Sequence, residues 1–570
     1  MPETNPGGSK QPKELSMEMR LLIAFILMGA VLFLTPYLFR TEGPPAQKKE
    51  TATAPAAPQE AAPEAPEAPA KPQPKAQASP AVPAGNVSAE SQQTYVIDTD
   101  VFRVEFSNKG AVATSWKLKK YRDGQGKELE LVNIVKEKVP DPFALYFKDR
   151  KPGVDLNEVL FAAQTPDGLA VNFEYSDGRV VARKRFHFQK DSYLVDVVTE
   201  VLEGGVGIPH YVMWRGGFGD MAVHSAASTQ RAVYFDLTEN SLERVEAKAA
   251  SDGPVTHAGN YSFTGIADNY FTAAFLPEQA GAMELVVLSD QVRTAVHEDE
   301  QPYVGIAVGG STRNNLDAFV GPKDLEILNR LNPKLAQMVD FGWFAILARP
   351  LFMGLHWIHD HWVGNWGWSI VIITVIINFL LFPLKLTSLK SMKKMQALQP
   401  QIATINEKYK NVGLRDPRKA QQNQEVMELY KKNGVNPMGG CFPMLIQIPF
   451  FIAFYNVLSN AIELRQANWL WVSDLSQPEH LAIKILPLAM IASQFLMQKM
   501  TPTTSMDPAQ QRIMMLMPLM LGFMFYWVAS GLVLYWFTGN LVSIGQQWFI
   551  NKTAPVNVTP AAPAKKNRRS

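Results

Sequence analysis

Residues 366–384 read WGWSIVIITVIINFLLFPL, an apolar run of 19 residues without a charged side chain. As a helix this run would cover about 28 Å, close to the ~30 Å of hydrocarbon in a bilayer. The pattern predicts a multi-domain membrane protein with six transmembrane α-helices, which are an N-terminal anchor and a core of five helices at residues 366–550. The other apolar stretches occupy residues 21–39, 441–462, 481–498, 513–529 and 532–550.

The five later stretches contain amides and hydroxyls but no carboxylate. A polar group at bilayer depth is costly, so it usually faces protein or a water-filled cavity. Ion pumps and transporters commonly place Asp or Glu at this depth. Any single amide in an apolar stretch can equally serve as a hydrogen bond between two helices. The set as a whole favours a wet, uncharged furrow. Its members are Thr374, Asn378, Gln447, Asn456, Gln494, Thr538, Asn540, Gln546 and Gln547.

Lysine and arginine are distributed unequally between the loops. Residues 388–434 carry ten of them, whereas the loop at residues 463–480 carries Arg465 alone. The positive-inside rule therefore places the basic segment in the cytoplasm. Counting stretches from there, the N-terminus (1–20) and the basic tail (551–570) are also cytoplasmic, and residues 40–365 lie on the other side of the membrane.

Two segments near the N-terminus precede any predicted domain. The stretch at residues 21–39 is longer than the usual 7–15 residues of a signal-peptide core, which favours an uncleaved anchor over a cleaved signal. Residues 40–92 are rich in Pro and Ala. Such a segment cannot bury enough apolar surface to fold, so we expect a tether.

Alternating apolar residues dominate residues 93–325. Phe102, Val104 and Phe106 share one face of a predicted strand, and turn residues such as Gly, Asn and Asp separate the runs. The pattern predicts an all-β sandwich. Residues 326–365 follow as a helical connector, whose interleaved aromatic and cationic side chains favour an amphipathic helix in the membrane interface.

The basic segment at residues 388–434 has the pattern of a helical hairpin. Pro400 is expected to bend or interrupt its first arm. Asn433 and Gly434 are expected to end its second arm. The apolar residues recur at helical spacing. They are Met395, Leu398, Ile402, Ile405 and Tyr409 in the first arm and Val426, Leu429 and Tyr430 in the second.

Motifs for catalysis or metal binding are scarce. The segment at residues 297–301 begins like a zinc protease signature but lacks the second histidine. His356, His359 and His361 lie on the predicted interfacial helix, where polar-face histidines are commoner than metal ligands. The sequence has no GxSxG elbow and no phosphate-binding loop. We therefore expect no enzymatic activity, no metal and no cofactor.

Several motifs carry a resemblance to a known family. They are NPMGGCFP at 436–443, LIQIP at 445–449, ELRQA at 463–467, QKMTPTT at 498–504 and SGLVLYW at 530–536. In these motifs the chain resembles the YidC family of membrane insertases, which are related to the Oxa and Albino proteins. The predicted layout resembles the Gram-negative branch, which has a large periplasmic domain.

The resemblance implies a non-enzymatic insertase and chaperone that inserts, folds and helps to assemble membrane proteins. It implies a hydrophilic groove open to cytoplasm and lipid, in a multi-pass protein of the inner membrane with a periplasmic β-domain. The implied partners are nascent membrane proteins, membrane lipids, the Sec translocon (SecYEG and SecDF), and a translating ribosome at the hairpin and basic tail. No sequence-specific nucleic acid is implied.

The resemblance also assigns roles to residues of the core. The polar groove residues are Thr374, Asn378, Gln447, Gln494 and Asn540. The residues along which a substrate's transmembrane segment would slide are Phe442, Met444, Met490, Met497 and Trp536.

The chain departs from the family pattern at one position. The family usually has an arginine in the groove, and Asn378 stands at that place. Lys385 is seven residues further on, within ~20° of the same helix face and ~10 Å toward the cytoplasm. We hypothesise that Lys385 supplies the cation at the groove mouth; the alternative is a lysine that simply extends to the membrane interface.

A different class of function stays open at this point. A polytopic solute transporter with a periplasmic carbohydrate-binding domain would also combine apolar spans with a large β-sandwich. The absence of a carboxylate in the five later stretches and the long basic hairpin argue against it.

Overall fold

The computed structural model describes residues 85–553 except 137, 222–225, 279–281, 298, 411–415, 417, 436–441 and 501–507. The predicted anchor at residues 21–39 lies outside the described residues. So do most of the predicted tether and all of the predicted basic tail after residue 553.

The β-domain contains every strand of the described chain, between residues 86 and 322. The strands are β1 (Asn86–Val87), β2 (Thr94–Asp98), β3 (Phe102–Ser107), β4 (Val112–Arg122), β5 (Glu128–Glu130), β6 (Leu145–Tyr146), β7 (Ala162–Gln164), β8 (Ala170–Asp177), β9 (Val180–Phe188), β10 (Leu194–Glu203), β11 (Val206–Gly207), β12 (His210–Trp214), β13 (Arg231–Asp236), β14 (Ser241–Val245), β15 (Val255–Ala267), β16 (Phe271–Pro277), β17 (Ala282–Val292), β18 (Gln301–Ser311) and β19 (Arg313–Pro322).

These strands form two sheets. The smaller sheet has the order β2-β3-β4-β5, and the larger, 15-stranded sheet follows the path β1-β8-β9-β10-β19-β16-β15-β17-β18-β12-β6. All pairings named in these sheets are antiparallel, and β15 pairs with β17 along its first half and with β13 and β16 along its second. The long strand β15 thus carries the larger sheet from one group of strands to the next.

Aromatic side chains fill the space between the two sheets. The ring of Phe106 in the smaller sheet lies 4.7 Å from that of Phe186 in the larger sheet, and Phe102 lies 6.1 Å from Phe188. Each ring is buried, and burial of one such side chain stabilises the folded state by about 1.5–3 kcal/mol. The prediction of a β-sandwich is therefore confirmed.

The structure differs from the predicted tether at its end. Strand β1 pairs with the edge strand β8, with Asn86 opposite Asp177. An edge strand offers unpaired amides and carbonyls, and this short segment satisfies some of them. The chain is therefore attached to the β-domain from residue 86 onward, within the 40–92 segment that composition alone predicts to be unfolded.

Two short helices, α1 (Ala226–Thr229) and α2 (Leu325–Leu331), lie within and just after the β-domain. The remaining helices build the rest of the described chain. They are α3 (Ala345–Ile358), α4 (Trp366–Leu380), α5 (Phe382–Ala397), α6 (Gln399–Lys408), α7 (Arg418–Lys432), α8 (Phe442–Asn460), α9 (Ile485–Met500), α10 (Pro508–Phe525) and α11 (Ser530–Thr553).

Each of the five apolar stretches of the predicted core contains a helix, namely α4, α8, α9, α10 and α11. Among the described residues, no helix taken singly has the length and apolar character needed to cross a membrane. The segments Ala345–Val363 and Trp366–Leu380 meet that requirement only as a pair, with a bend of 116° between them. The layout of six transmembrane helices stays a prediction.

Helix α3 is amphipathic, as predicted for the connector. Ala348, Leu355 and neighbouring residues are buried, and α3 packs against α8. Ile346 and Met353 point away from the protein and are exposed. Its location in the membrane interface stays a prediction.

The basic segment folds as the predicted helical hairpin. Helix α5 ends at Ala397 and α6 begins at Gln399, so Pro400 occupies the first turn of a new helix, where its missing N–H costs nothing. Across the hairpin, the Tyr409 hydroxyl donates to Glu425 at 2.8 Å. A small apolar core joins α5, α6 and the end of α7, formed by Met395, Leu398, Ile402, Tyr430 and Val435.

Candidate functional site

Helix α11 lies between α4 and α9 and brings their polar side chains together. Gly539 faces α4 at this contact, and a Cβ built on it would lie in van der Waals contact with Asn378, 3.8 Å from its side-chain amide nitrogen. We call this region the polar seam. It consists of Thr374, Asn378, Lys385, Ser493, Gln494, Asn540, Ser543 and Gln546.

The first half of the polar seam is centred on Asn378 in α4. Its Nδ2 donates to the Thr374 backbone carbonyl one turn earlier at 2.8 Å. The backbone carbonyl of Asn378 accepts from Gln546 Nε2 of α11 at 3.1 Å. The Thr374 hydroxyl donates back to the Ile370 carbonyl at 2.6 Å. These bonds leave the side-chain oxygen of Asn378 turned toward Lys385.

Lys385 reaches that oxygen from the next helix. Its Nζ donates to Asn378 Oδ1 at 2.7 Å and to Ser543 Oγ of α11 at 3.2 Å. Helix α4 ends at Leu380 and α5 begins at Phe382, with Pro383 in the first turn of α5. Among the described residues, no salt bridge involves Lys385, so both of its hydrogen-bond acceptors are neutral.

The second half of the polar seam joins α11 to α9. Asn540 Nδ2 donates to Ser493 Oγ at 3.0 Å, and Ser493 donates to the Met490 carbonyl at 2.7 Å. Trp536, one turn before Asn540, directs its indole N–H at Gln494 Oε1 over 3.4 Å. Every side chain of the seam except the half-buried Lys385 and Ser543 is buried.

The structure brings together four of the five predicted groove residues, which are Thr374, Asn378, Gln494 and Asn540. The fifth, Gln447, is half-buried on α8. Sequence reasoning missed Ser493 and Ser543 because serine is common in helices and attracts no notice alone. The spacing of Trp536, Asn540 and Ser543 along one face of α11 is the signal that could have found Ser543.

The predicted slide residues are less uniform. Met497 and Trp536 are half-buried. Met490 is 1 % exposed, so it is part of the packed core and offers no outer surface. A slide role for Met490 stays a prediction, and in this structure its side chain fills an interior gap, as methionine readily does. The side chains of Phe442 and Met444 lie outside the described residues.

The histidines of α3 and the following turn have protein partners. His359 Nδ1 lies 2.8 Å from Asp360, and His356 Nε2 lies 3.0 Å from Glu463. Over the described part of the chain, no group of three or more His, Cys, Asp or Glu side chains could hold a metal ion.

The chemistry available in the polar seam is therefore hydrogen bonding by neutral groups plus one ammonium. It contains no acid–base pair and no nucleophile with an adjacent base. The bonds between its helices are all donated by side chains, and most of them also end on a side chain, so each can be exchanged for a bond to another polar chain without unfolding a helix. The geometry suits the binding of a polar segment rather than a reaction.

Comparison with known proteins finds relatives that match most of the chain. The sequence model described as "YidC periplasmic domain" matches residues 94–353, and the one described as "60Kd inner membrane protein" matches residues 357–557. A membrane protein insertase YidC of Pelobacter propionicus is 36 % identical over 561 residues, which cover 94 % of this chain and 99 % of the relative.

A second relative has the same extent. The membrane protein insertase YidC of Citrifermentans bemidjiense is 37 % identical over 566 residues, covering 94 % of this chain and 99 % of that protein. Among solved structures, that of an active YidC insertase with its first transmembrane domain resolved is 19 % identical, covering 81 % of this chain and 94 % of its own, with a TM-score of 0.36.

Proposed function

The chain belongs to the YidC family of membrane protein insertases, and from that premise we propose how its helical core handles a substrate. The relatives that carry this name match it over nearly its full length. It is thus a non-enzymatic membrane protein with a periplasmic domain, and it acts on other membrane proteins. The alternative of a solute transporter with a carbohydrate-binding domain is set aside.

We propose that the polar seam is the closed form of the substrate groove. When α11 separates from α4 and α9, the amides of Asn378 and Asn540 and the hydroxyl of Ser493 become available to a hydrophilic segment of the substrate. The observation that supports this is the kind of bond in the seam. Most bonds between its helices end on a side chain, and peptide groups of a substrate can replace them one for one.

The hydrogen bonds of the seam add little to the cost of such an opening. Hydrogen bonds between helices in a membrane contribute about 0.6 kcal/mol each on average. A substrate that restores them repays most of that loss. Water that enters the open seam lowers the cost of moving a polar segment partway into the bilayer.

Lys385 is the proposed cation of the groove. Its acceptors in the closed seam, Asn378 and Ser543, are neutral, so a carboxylate of the substrate is a better partner for the ammonium than either. Its inward orientation argues against a lysine that only extends to the membrane interface. Acidic hydrophilic segments are therefore the preferred substrates of this position.

The remaining assignments follow the family and the loop charges. The basic hairpin and both termini are cytoplasmic, and the protein lies in the inner membrane. The hairpin and the tail at residues 551–570 receive a translating ribosome, and the protein works alone or beside the Sec translocon (SecYEG and SecDF). The half-buried Met497 and Trp536, with Phe442 and Met444, guide the apolar segment of the substrate.

Site-specific photo-crosslinking tests the groove. An aromatic photo-crosslinker at Trp536, whose indole N–H is directed at Gln494 of the seam, is expected to form adducts with a stalled nascent membrane protein. The matched control is Trp548 on the same helix, which is exposed. Equal adducts from both positions, or none from Trp536, would count against a groove at the seam.

Lys385 is tested separately. Lys385→Gln should slow the insertion of a substrate with an acidic tail by about tenfold, because one charge-assisted hydrogen bond is worth about 1.5 kcal/mol or more. A neutral-tailed substrate should be unaffected, and Lys385→Arg should restore the acidic one. The control is Lys390→Gln, an exposed lysine on the same helix. Equal loss for both tails would contradict the assignment.

A further inference from the structure

The loop between α8 and α9 contacts two other parts of the molecule at neighbouring residues. It begins with a 3₁₀ turn, Ile462–Leu464, in which Leu464 is completely buried. The Glu463 side chain is directed at α3, and the Arg465 side chain is directed at the β-domain. One short segment therefore connects the helical core, the connector and the β-domain.

The contact with the β-domain is buried and charged. Arg465 and Asp220 form an ion pair in which the two side chains are only 6 % and 7 % exposed, and the guanidinium lies 5.3 Å from the ring of Phe271. The next residue, Gln466, donates to the Arg122 carbonyl at 2.8 Å. Breaking such a buried ion pair is strongly destabilising, so this side of the loop is firmly held.

The contact with α3 has an unusual hydrogen-bond geometry. His356 Nδ1 lies 3.0 Å from the Phe352 carbonyl, and its Nε2 lies 3.0 Å from Glu463 Oε1. A carbonyl is only an acceptor, and so is a carboxylate. A neutral imidazole has one N–H and can satisfy one of the two, so the His356–Glu463 pair needs one additional proton.

The surroundings of Glu463 strengthen this requirement. Its second oxygen, Oε2, is buried and has no hydrogen-bond partner among the described residues. Burial alone would lower the pKa of His356, but the hydrogen bond and charge of Glu463 outweigh it and raise that pKa above the ordinary imidazole value. Other charged or titratable groups that act on the pair are Asp360 and His359 beside His356, and Tyr121, Asp324 and Arg465 around Glu463.

We propose that His356 and Glu463 form a proton-dependent contact that ties α3 to the outer ends of α8 and α9. The contact exists while the pair holds its proton. It weakens as the pH rises through the titration of His356, because the neutral ring has one N–H for two acceptors and its lone pair then faces either the carboxylate or the Phe352 carbonyl. The pH on the side of the membrane that carries the β-domain thus sets how firmly the loop is held, whether or not the polar seam is the groove.

Hydrogen–deuterium exchange on the full-length protein in nanodiscs tests the proposal. The measured quantity is the protection of amides at residues 461–477, corrected for the intrinsic exchange rate at each pH from 6 to 9.5. We expect protection in the wild type to fall by about tenfold as the pH rises, since loss of one charged hydrogen bond corresponds to about that factor.

Three variants make the result specific. His356→Lys should keep protection high throughout, because an ammonium donates to Glu463 up to about pH 10. Glu463→Gln should give a flat profile, because an amide satisfies a neutral imidazole. His361→Lys is the matched control, an exposed histidine whose Nδ1 faces the Trp357 carbonyl, and should keep the wild-type profile.

Two results would overturn the proposal. One is a wild-type profile without pH dependence. The other is a pH-dependent loss of protection that persists in both His356→Lys and Glu463→Gln. Because the readout is loop protection and not insertion, either result would leave the assignment of the groove untouched.

Discussion

The β-domain buries one lysine and the helical core half-buries another, each without a carboxylate partner among the described residues, but the two regions satisfy the ammonium group in different ways. In the β-domain, Lys184 Nζ donates to three backbone carbonyls, those of Gly110 at 2.6 Å, Ala111 at 3.1 Å and Phe143 at 2.8 Å. In the core, Lys385 donates to two side-chain oxygens on different helices.

The hydrogen bonds of Lys184 end on backbone atoms and are permanent, whereas those of Lys385 end on side chains and can be exchanged. Backbone carbonyls are held by the chain itself, so Lys184 cannot lose its partners unless that part of the β-domain unfolds. The side chains around Lys385 can rotate, and α11 can move, without breaking a helix. Under the proposed function, burial of a polar group serves stability in one region and substrate exchange in the other.

The same contrast holds for neutral groups. In the β-domain, His210 Nε2 lies 2.8 Å from the Thr199 hydroxyl, and its carbonyl accepts from Asn314 at 3.0 Å. These residues lie on strands joined within one sheet. In the core, Asn540 and Ser493 belong to two different helices and are joined through their side chains.

The largest effect is expected for Lys184→Met. The substitution leaves three buried carbonyls without donors, at about 1–3 kcal/mol each, and relief of the buried charge offsets part of that loss. We expect the free energy of unfolding of the β-domain to fall by about 3 kcal/mol, measured by denaturation followed by circular dichroism. Lys151→Met, at an exposed lysine, should change it by less than about 0.5 kcal/mol. A small effect at Lys184 would remove the contrast with Lys385.

The next effect depends on pH. Burial lowers the pKa of His210 to about 4, below the ordinary value of 6.5. The unfolded chain therefore binds the proton more tightly, so stability is lost as the pH falls from about 6.5 to 4, by up to about 3 kcal/mol. His210→Gln should reduce this dependence in denaturation curves. His187→Gln, at an exposed histidine, should leave it in place.

A smaller effect is expected at Gly539, where α11 faces α4. Gly539→Leu would force a side chain toward Thr374 and Asn378, at about 1–3 kcal/mol, and should hold the polar seam partly open. Insertion rates in proteoliposomes should change clearly. Gly545→Leu on the same helix is the control, because a Cβ at that glycine meets nothing within 4 Å. If the two variants behave alike, the packing of the seam has no role in insertion.

The smallest effect concerns a single bond of the seam. A double-mutant cycle with Asn540→Ala and Ser493→Ala should give a coupling energy of about 0.6 kcal/mol. The corresponding cycle in the β-domain, with Thr199→Val and Asn314→Ala, should give more, because that network is buried and connected. A stronger coupling in the core than in the β-domain would reverse the proposed roles of the two regions.

Part of this structure is accessible from sequence because its signals are periodic. Alternation along strands such as β10 predicts the sandwich, since every second residue from Val195 to Val201 is buried and the residues that alternate with them are not. Heptad-like spacing predicts the hairpin core around Ile402. Amides in apolar runs point to Asn378 and Asn540, because such groups are costly in lipid and therefore turn inward.

Other features are inaccessible because they depend on which helices meet. Nothing local distinguishes Ser493 from any other helical serine. Met490 is of the residue type expected for a slide residue, but its side chain lies in the packed interior. The contact of Glu463 with His356 joins residues 107 positions apart, and no pattern in either segment foretells it.

The amino-acid sequence by itself determined the class of protein, the order of its parts and the polar positions of its core. These follow from period, composition and the cost of polar groups in an apolar medium, all of which act locally along the chain. Tertiary structure alone decided that Lys385 turns inward to Asn378, that α11 closes the seam, and that Glu463 contacts α3. Such contacts depend on distances between segments remote in sequence, which are set only when the whole chain packs.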